Sequence, residues 1–552
     1  MTINFLLLVG SSSIVNASII EENIPTIPIT TSSLLTTKNN NGENYKVSAH
    51  KGTKILIPSN INIRIFLVTK PIKLNRCIDN IHQQEDKVAT ILGLFVYAHA
   101  RHMQRDSSEV DDYIPLSSTI LQHHIYDYSD YLQYLMDNGI FETDSFYIPD
   151  EKCYGYRLAE KYRNAPLVEY FISNYHGNNK NGAAVCNSFY KPNKEQKETI
   201  NKYHALYNDL CNVTIPDFYA AQDYIKNELQ DVALESVIKD FKKRRDCSWT
   251  KYKEGDETLK QQMIAPRILG KQNCWISSIH ALDQKHLYFK QDTTSHRLHT
   301  SVLGVKTECR KFLRLEGKEI VSCDLKNSQP FISSVLFTKG DLTPEIMKIL
   351  IKCLSCLKEA DITIYKSIIS RIKQYKSGDI LPSTQQYLRL VKNGEIYEFL
   401  AIKLNQLESE SSKKHKVYFR EDGKHLTFTL FFNPSKFGSL ARDIFRQSFP
   451  QVMSLFEDIN MLFTDTRRES IRKRIPYNTN TLAVLLQSIE SHLFLDVICK
   501  NMKEKYPHLP LLTIHDAIAT NPEYKKPLEA EMVDNLQTII GSEPTIKIET
   551  WT

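Results

Sequence analysis

Ile320-Val321-Ser322-Cys323-Asp324 is an apolar run that closes on an aspartate, and far along the chain Leu511-Leu512-Thr513-Ile514 closes in the same way on His515-Asp516. An aspartate at the end of a buried strand stands on a rigid element at a cleft rim. Two of them on adjacent strands suit a pair of divalent cations, which activate an attacking oxygen and neutralise a triphosphate leaving group. Spacing alone leaves a plainer reading open, because Asp is also a common turn starter after an apolar strand.

Between these runs, Arg420, Lys424, Phe428 and Phe432 recur every four residues. Each step of four drifts by only about 40° around a helix, so the four share one stripe. Two cations followed by two rings suit a nucleoside triphosphate, the cations meeting phosphates and the rings meeting base and sugar. The rival is a core helix whose rings pack inward while Arg420 and Lys424 extend their charges to water.

The stretch from Lys424 to Phe432 resembles motif B of the family A DNA polymerases and the related single-subunit RNA polymerases. Ile320 to Gln329 is similar to their motif A, and Leu512 to Asp516 to their motif C. Ser295 to Thr300 and Cys309 to Phe312 resemble stretches that precede motif A, and Phe445 to Pro450 one that follows motif B. Leu486-Gln487, with a helix from Ser488 to Met502, resembles the Gln-bearing helix before motif C. The likeness covers roughly 290–525, with its short motifs in the family's order. It implies an α+β, right-hand polymerase fold, with a palm carrying motifs A and C and a fingers helix carrying motif B. Carried over residue by residue, Asp324 and Asp516 bind two Mg²⁺ ions and His515 supports the primer terminus. Arg420, Lys424, Phe428, Phe432 and Gln329 meet the incoming nucleotide, while Arg297, Gln487 and Arg310 touch the primer–template. The implied chemistry is in-line attack of a 3′-hydroxyl on an α-phosphate.

The departures bear on sugar choice. Where family A DNA polymerases place a Glu that excludes a ribose 2′-hydroxyl, this chain has Gln329 followed by Pro330, and the Ser-Gln pair is displaced. The acid that follows the motif C aspartate is replaced by Ala517, and the Tyr that closes motif B is Phe432. Bulk retained at Gln329 and a hydroxyl lost at Phe432 favour dNTPs with loose discrimination. No paired-carboxylate proofreading exonuclease is recognisable upstream.

Ahead of this region, Lys87 to His102 has helical apolar spacing, and Ser118 to His124 and Tyr128 to Met136 read as further helices. Ile140 to Glu142, Ser145 to Ile148 and Tyr154 to Leu158 read as short strands around turns. That order is expected of a winged helix-turn-helix, which presents its last helix to a duplex groove. Arg157, Lys161 and Arg163 beside the wing favour nucleic acid, and protein contact is the alternative. The expected arrangement is a poorly ordered leader over 1–50, a winged-helix-containing domain over 51–165, a helical thumb-like region over 166–290 and the polymerase core over 291–552.

Composition sets the outer bounds. Of 552 residues 41% are apolar and 24% charged, which excludes fully disordered and collagen-like classes. Lys plus Arg number 70 against 64 acids, a net charge of +6, so any polyanion site must come from local clustering. The eleven cysteines are odd in number and scattered, as in a reduced intracellular protein, and Cys353 with Cys356 lacks a second ligand pair for zinc. Phe5 to Val9 falls short of a secretory signal and no uninterrupted apolar run reaches a spanning length, so no membrane partner is expected. The combined expectation is a small DNA-directed DNA polymerase of a virus, plasmid or mobile element, using Mg²⁺, dNTPs and primer–template. A single-subunit RNA polymerase and a catalytically idle nucleic-acid-binding protein are its rivals.

Overall fold

Val321–Leu325 is the inner strand on which the architecture is built. It pairs antiparallel with Ala517–Thr520 on one side and Ile546–Thr550 on the other, and Leu512–Ile514 adds an edge. Side chains alternate across a strand. Cys323 points to the helix Lys525–Ile540, its thiol reaching Lys525 O, and that helix buries Leu528, Met532 and Leu536 at helical spacing. Asp324 is therefore left on the opposite face, with Ser322 and their register partners Lys547 and Glu549. On that face the Trp551 indole donates to Ser322 Oγ at 3.2 Å. Asp324 lies within the strand, one residue short of its end.

The computed structural model describes residues 36–38, 44–46, 53–72, 80–103, 113–148, 153–172, 192–244, 257–338, 342–344, 346–349, 362–411, 417–432, 440–461 and 481–552. Met1–Lys51 and Gly52–Thr552 form separate units. In the first, Thr36–Lys38 pairs antiparallel with Asn44–Lys46. Cys353, Cys356 and the expected leader outside those two strands lie beyond the described residues.

Three devices position the site elements. Asp209, buried on the helix His204–Cys211, accepts from Leu511 N at 2.9 Å and pairs with Lys503 at 2.6 Å, fixing the entry to Leu512–Ile514. The helices Ile396–Ser411 and Arg420–Phe432 pack through Gly423, where a Cβ would stand 2.0 Å from Tyr397 O. The third is a continuous helical segment, Leu482–Lys505, with a π-helical stretch at His492–Ile498. At 24 residues it is apolar enough to cross a bilayer by length and composition, although polar residues interrupt each of its apolar runs. Its most apolar window is 72% buried within the protein, as a core helix requires.

In the N-terminal part, Ile81–His102 starts earlier than expected because Asn80 and Gln83 form a reciprocal capping box. Ile114–Pro115, Ser118–His124, Tyr128–Asp137, Phe141–Thr143 and Gly155–Leu158 follow, with Gly155–Leu158 central in a three-stranded antiparallel sheet. Of the strand expected at Ser145 to Ile148, only a single bridge at Ile148 forms. Asp144 accepts from Phe146 N and Gly155 N at 3.1 and 2.9 Å, and Ser145 takes a φ of 52°, so a side chain captures the backbone donors.

Leu167–Ile172 is a strand paired with Thr53–Pro58, whereas the sequence there read as helical. Its Glu169 accepts from Lys54, Tyr219 and His280, whose Nδ1 meets the Tyr97 hydroxyl at 2.7 Å. Burial alone would raise the Glu169 carboxyl, but these hydrogen bonds hold it down at about 2. The network ties the N-terminal strands to the long helix Glu257–Asp283.

Gly423→Ala tests the close helix contact. The added methyl meets main chain, so the helices must part, at a cost of roughly 1–3 kcal/mol or more. Urea unfolding should show that loss, and wild-type stability would contradict the packing.

Candidate active site

Asp516 is the second residue of the two-residue turn between Leu512–Ile514 and Ala517–Thr520. Leu325 N donates to Asp516 O at 3.0 Å, and Asp324 is in register with Ala517. Backbone pairing thus fixes Asp324, on its strand, beside the turn that carries Asp516. His515, first in the turn, has a φ of 55°, a left-handed conformation that a non-glycine residue adopts at a cost. Its ring stands edge-on to His299 at 5.6 Å.

The electrostatics follow from burial and crowding. Burial raises the Asp324 carboxyl to about 6, with Lys547 and Lys424 opposing and Glu549 and Glu490 adding to the rise. Asp516 is pushed well above the ordinary carboxylate range, first by burial and then by repulsion from Glu490 and Asp324. His515 falls to about 4 through burial and the charges of Arg297, His299 and Arg310, so at neutral pH it is an uncharged imidazole.

The stripe on Arg420–Phe432 faces outward from the helix core at Arg420 and Phe428. Leu426, Thr427, Leu430 and Phe431 are buried, whereas Arg420 and Phe428 are exposed and Lys424 is half-buried. The inward-packed alternative therefore does not hold for Phe428, which is 36% exposed. The Phe432 side chain lies outside the described residues. Lys424 is close enough to act on Asp324, and its ammonium lies 5.9 Å from the Phe428 ring. Arg420 pairs with Glu398 at 2.8 Å and lies over the Tyr397 ring.

The remaining expected residues are placed differently. Gln329 is buried, and its amide donates to Glu490 Oε2 at 2.5 Å instead of facing the cleft. Arg297 directs its guanidinium to Glu490 Oε1 through Nε at 2.9 Å and Nη2 at 2.5 Å. Arg310 lies beneath the Trp551 ring within reach of the Asp324 charge, and Gln487 is half-buried on the helix Thr481–Ser491. Sequence reasoning missed Glu490, Tyr397, Lys547 and Glu549. The alternation Ile546-Lys547-Ile548-Glu549 was a readable signal for the last two. Tyr397 is buried, and burial with the nearby Asp516 charge keeps its hydroxyl protonated.

Several buried polar atoms here find no partner within the protein: both side-chain polar atoms of Asn327, Gln329 Oε1, Ser488 Oγ, Arg310 Nε and His515 Nδ1. Buried polar groups are normally satisfied, and exceptions collect where ligands act. Among the described residues no three His, Cys, Asp or Glu side chains stand in a metal-holding arrangement. The Asp324–Asp516 pair fits a cation that takes one or two carboxylates and completes its shell with water and phosphate oxygens, as Mg²⁺ does. Beside it a cleft of about 910 Å³ is walled by residues including Arg101, His102, Lys290, His299, Arg310 and His515. Its cations Arg101, Lys290 and Arg310 outnumber the acid Asp292 in the same wall, a balance that suits a polyanion.

The raised carboxyls carry a stability signature. An acid whose folded pKa is raised holds its proton more tightly when folded, so stability falls as pH rises from the usual carboxylate value through the folded one. For Asp324 that window runs from 3.8 to about 6. Asp324→Asn should therefore raise the thermal midpoint at pH 7.5 without divalent cations, and the gain should shrink below pH 4. A lowered midpoint at pH 7.5 would contradict the electrostatic description.

No protein-family model and no curated relative matches this chain. Among solved structures, the POL domain of Pol1 from M. smegmatis, in complex with DNA primer-template and dNTP, is similar over 67% of this chain and 75% of that one, at 11% identity and a TM-score of 0.30. So loose an overlap leaves function to the chain's own residues.

Proposed function

We propose that this protein is a template-directed nucleotidyltransferase, most simply a DNA polymerase that extends a primer with dNTPs. The observation that carries the reading is the pair Asp324 and Asp516, both half-buried, brought together by strand pairing and faced by the Lys424 side of an outward stripe. Mg²⁺ bound at the pair would supply charge stabilisation to the transferring phosphoryl group and acidify the attacking hydroxyl. Lys424 and Arg420 hold the triphosphate, Arg420 exchanging an exposed ion pair of small worth for phosphate. Phe428 offers a stacking face to the nascent pair. The neutral His515 can hydrogen-bond the primer terminus without adding charge beside the aspartates.

We assign the nucleic acid to the 910 Å³ cleft, where Arg101, Lys290 and Arg310 offer cations against Asp292 and where His515, next to Asp516, lines the wall. Phe432 has no hydroxyl to bond a ribose, which favours deoxynucleotides. We read the N-terminal helices and hairpin as a winged helix used for protein contact. The exposed face of Tyr128–Asp137 carries Ser129, Asp130, Gln133 and Asp137, and its two acids repel phosphate. Arg157 is bound to Glu142 at 2.6 Å and stacked on Tyr113.

Primer extension with Mg²⁺ and either four dNTPs or four NTPs tests the reading. Extension with dNTPs is expected, with some ribonucleotide use, and extension by NTPs alone would favour an RNA polymerase. Asp324→Ala or Asp516→Ala should each cut the rate on the order of 10³-fold or more while template binding survives. A near-wild-type rate in either variant would exclude the assignment. Lys424→Ala should raise the nucleotide KM and leave primer–template affinity unchanged, and an equal loss of both would indicate a structural helix.

A further inference from the structure

Glu490 lies outside the catalytic aspartates and stripe, yet it is 1% exposed. Its Oε1 takes both Arg297 hydrogen bonds, and its Oε2 accepts from Ser328 Oγ at 2.7 Å and Gln329 Nε2 at 2.5 Å. A buried carboxylate is tolerated only when paired and hydrogen-bonded, and here Arg297, Ser328 and Gln329 all donate to it. The partners belong to two other segments. Ser328 and Gln329 open the helix Ser328–Ser333, which follows the Asp324 strand through Asn327, itself at a φ of 50°. Arg297 belongs to the hairpin of Phe289–Gln291 and Leu298–Thr300, whose His299 ring meets His515. One carboxylate therefore joins the segment after Asp324 to the hairpin beside Asp516.

We propose that Glu490 is the positioning residue of the aspartate pair. Through Ser328 and Gln329 it fixes the turn that follows Asp324, and through Arg297 it fixes the hairpin against His515 and Asp516. Arg297 then serves the reaction by holding Glu490 in place and is not an independent reader of the duplex. This rests on the polymerase reading of the pair. A misplacement of the Asp324 turn costs rate because phosphoryl transfer depends on positioned charge.

The test uses the full-length chain, single-turnover dNTP incorporation, primer–template affinity by fluorescence anisotropy, and thermal unfolding. Glu490→Gln and Arg297→Ala should each lower the incorporation rate about tenfold or more, with duplex affinity changed less than about twofold. The double variant should lose no more than the worse single, since the two act as one unit. If Glu490→Gln does not fold, Gln329→Met removes one donor and leaves the ion pair, and it should still slow incorporation with duplex affinity intact. A loss of duplex affinity in Arg297→Ala with a normal rate in Glu490→Gln, or losses that multiply in the double variant, would overturn the positioning role while leaving the polymerase reading in place. A wild-type chain that binds primer–template but never incorporates a nucleotide would overturn the polymerase reading, and the positioning role with it.

Discussion

The antiparallel pairing of Val321–Leu325 with Ala517–Thr520 is the constraint on which the rest depends. It places Asp324 opposite Ala517 and locks Leu325 N to Asp516 O. Two half-buried carboxylates are then crowded together, and both are pushed toward their protonated forms. Folding alone gains nothing from that crowding, and removing one charge relieves it. Strain of this kind is the ordinary cost of a functional site, tolerated where activity requires it.

The surrounding structure opposes that cost by over-determining the geometry. Asp209 captures the backbone of Leu511, the helix Lys525–Ile540 seals the far face of the sheet, and Glu490 gathers Arg297, Ser328 and Gln329. Gly423 lets the stripe-bearing helix sit against Tyr397, whose ring also supports Arg420. Aspartates, stripe and cleft are thus held by backbone pairing, buried hydrogen bonds and one glycine contact.

Much of this was legible in the sequence because its signals are local. A strand that closes on Asp, and a stripe recurring every four residues, need no partner to be recognised. The edges of the account were less legible because their causes lie in distant residues. Glu490 reads as one polar position in an apolar helix until Arg297, from a remote hairpin, is brought onto it. Gln329 reads as a nucleotide contact from its place after Asp324, but the same buried carboxylate turns its amide inward. The strand expected at Ser145 to Ile148 was lost to one side chain, Asp144, which competes for the backbone donors. Leu482–Lys505 passed as an ordinary helix because its polar residues interrupt every apolar run, while its average remains that of a buried segment.

In the proposed function the aspartate pair is kept, against its electrostatic cost, to hold divalent cations together with a nucleoside triphosphate. Mn²⁺ binding followed by electron paramagnetic resonance, with and without a non-hydrolysable dNTP, measures this without any turnover. The expected result is weak uptake by the protein alone, a marked strengthening when the nucleotide is added, and loss of that strengthening in both Asp324→Asn and Asp516→Asn. Mn²⁺ uptake that ignores the nucleotide, or that survives unchanged in both variants, would contradict it.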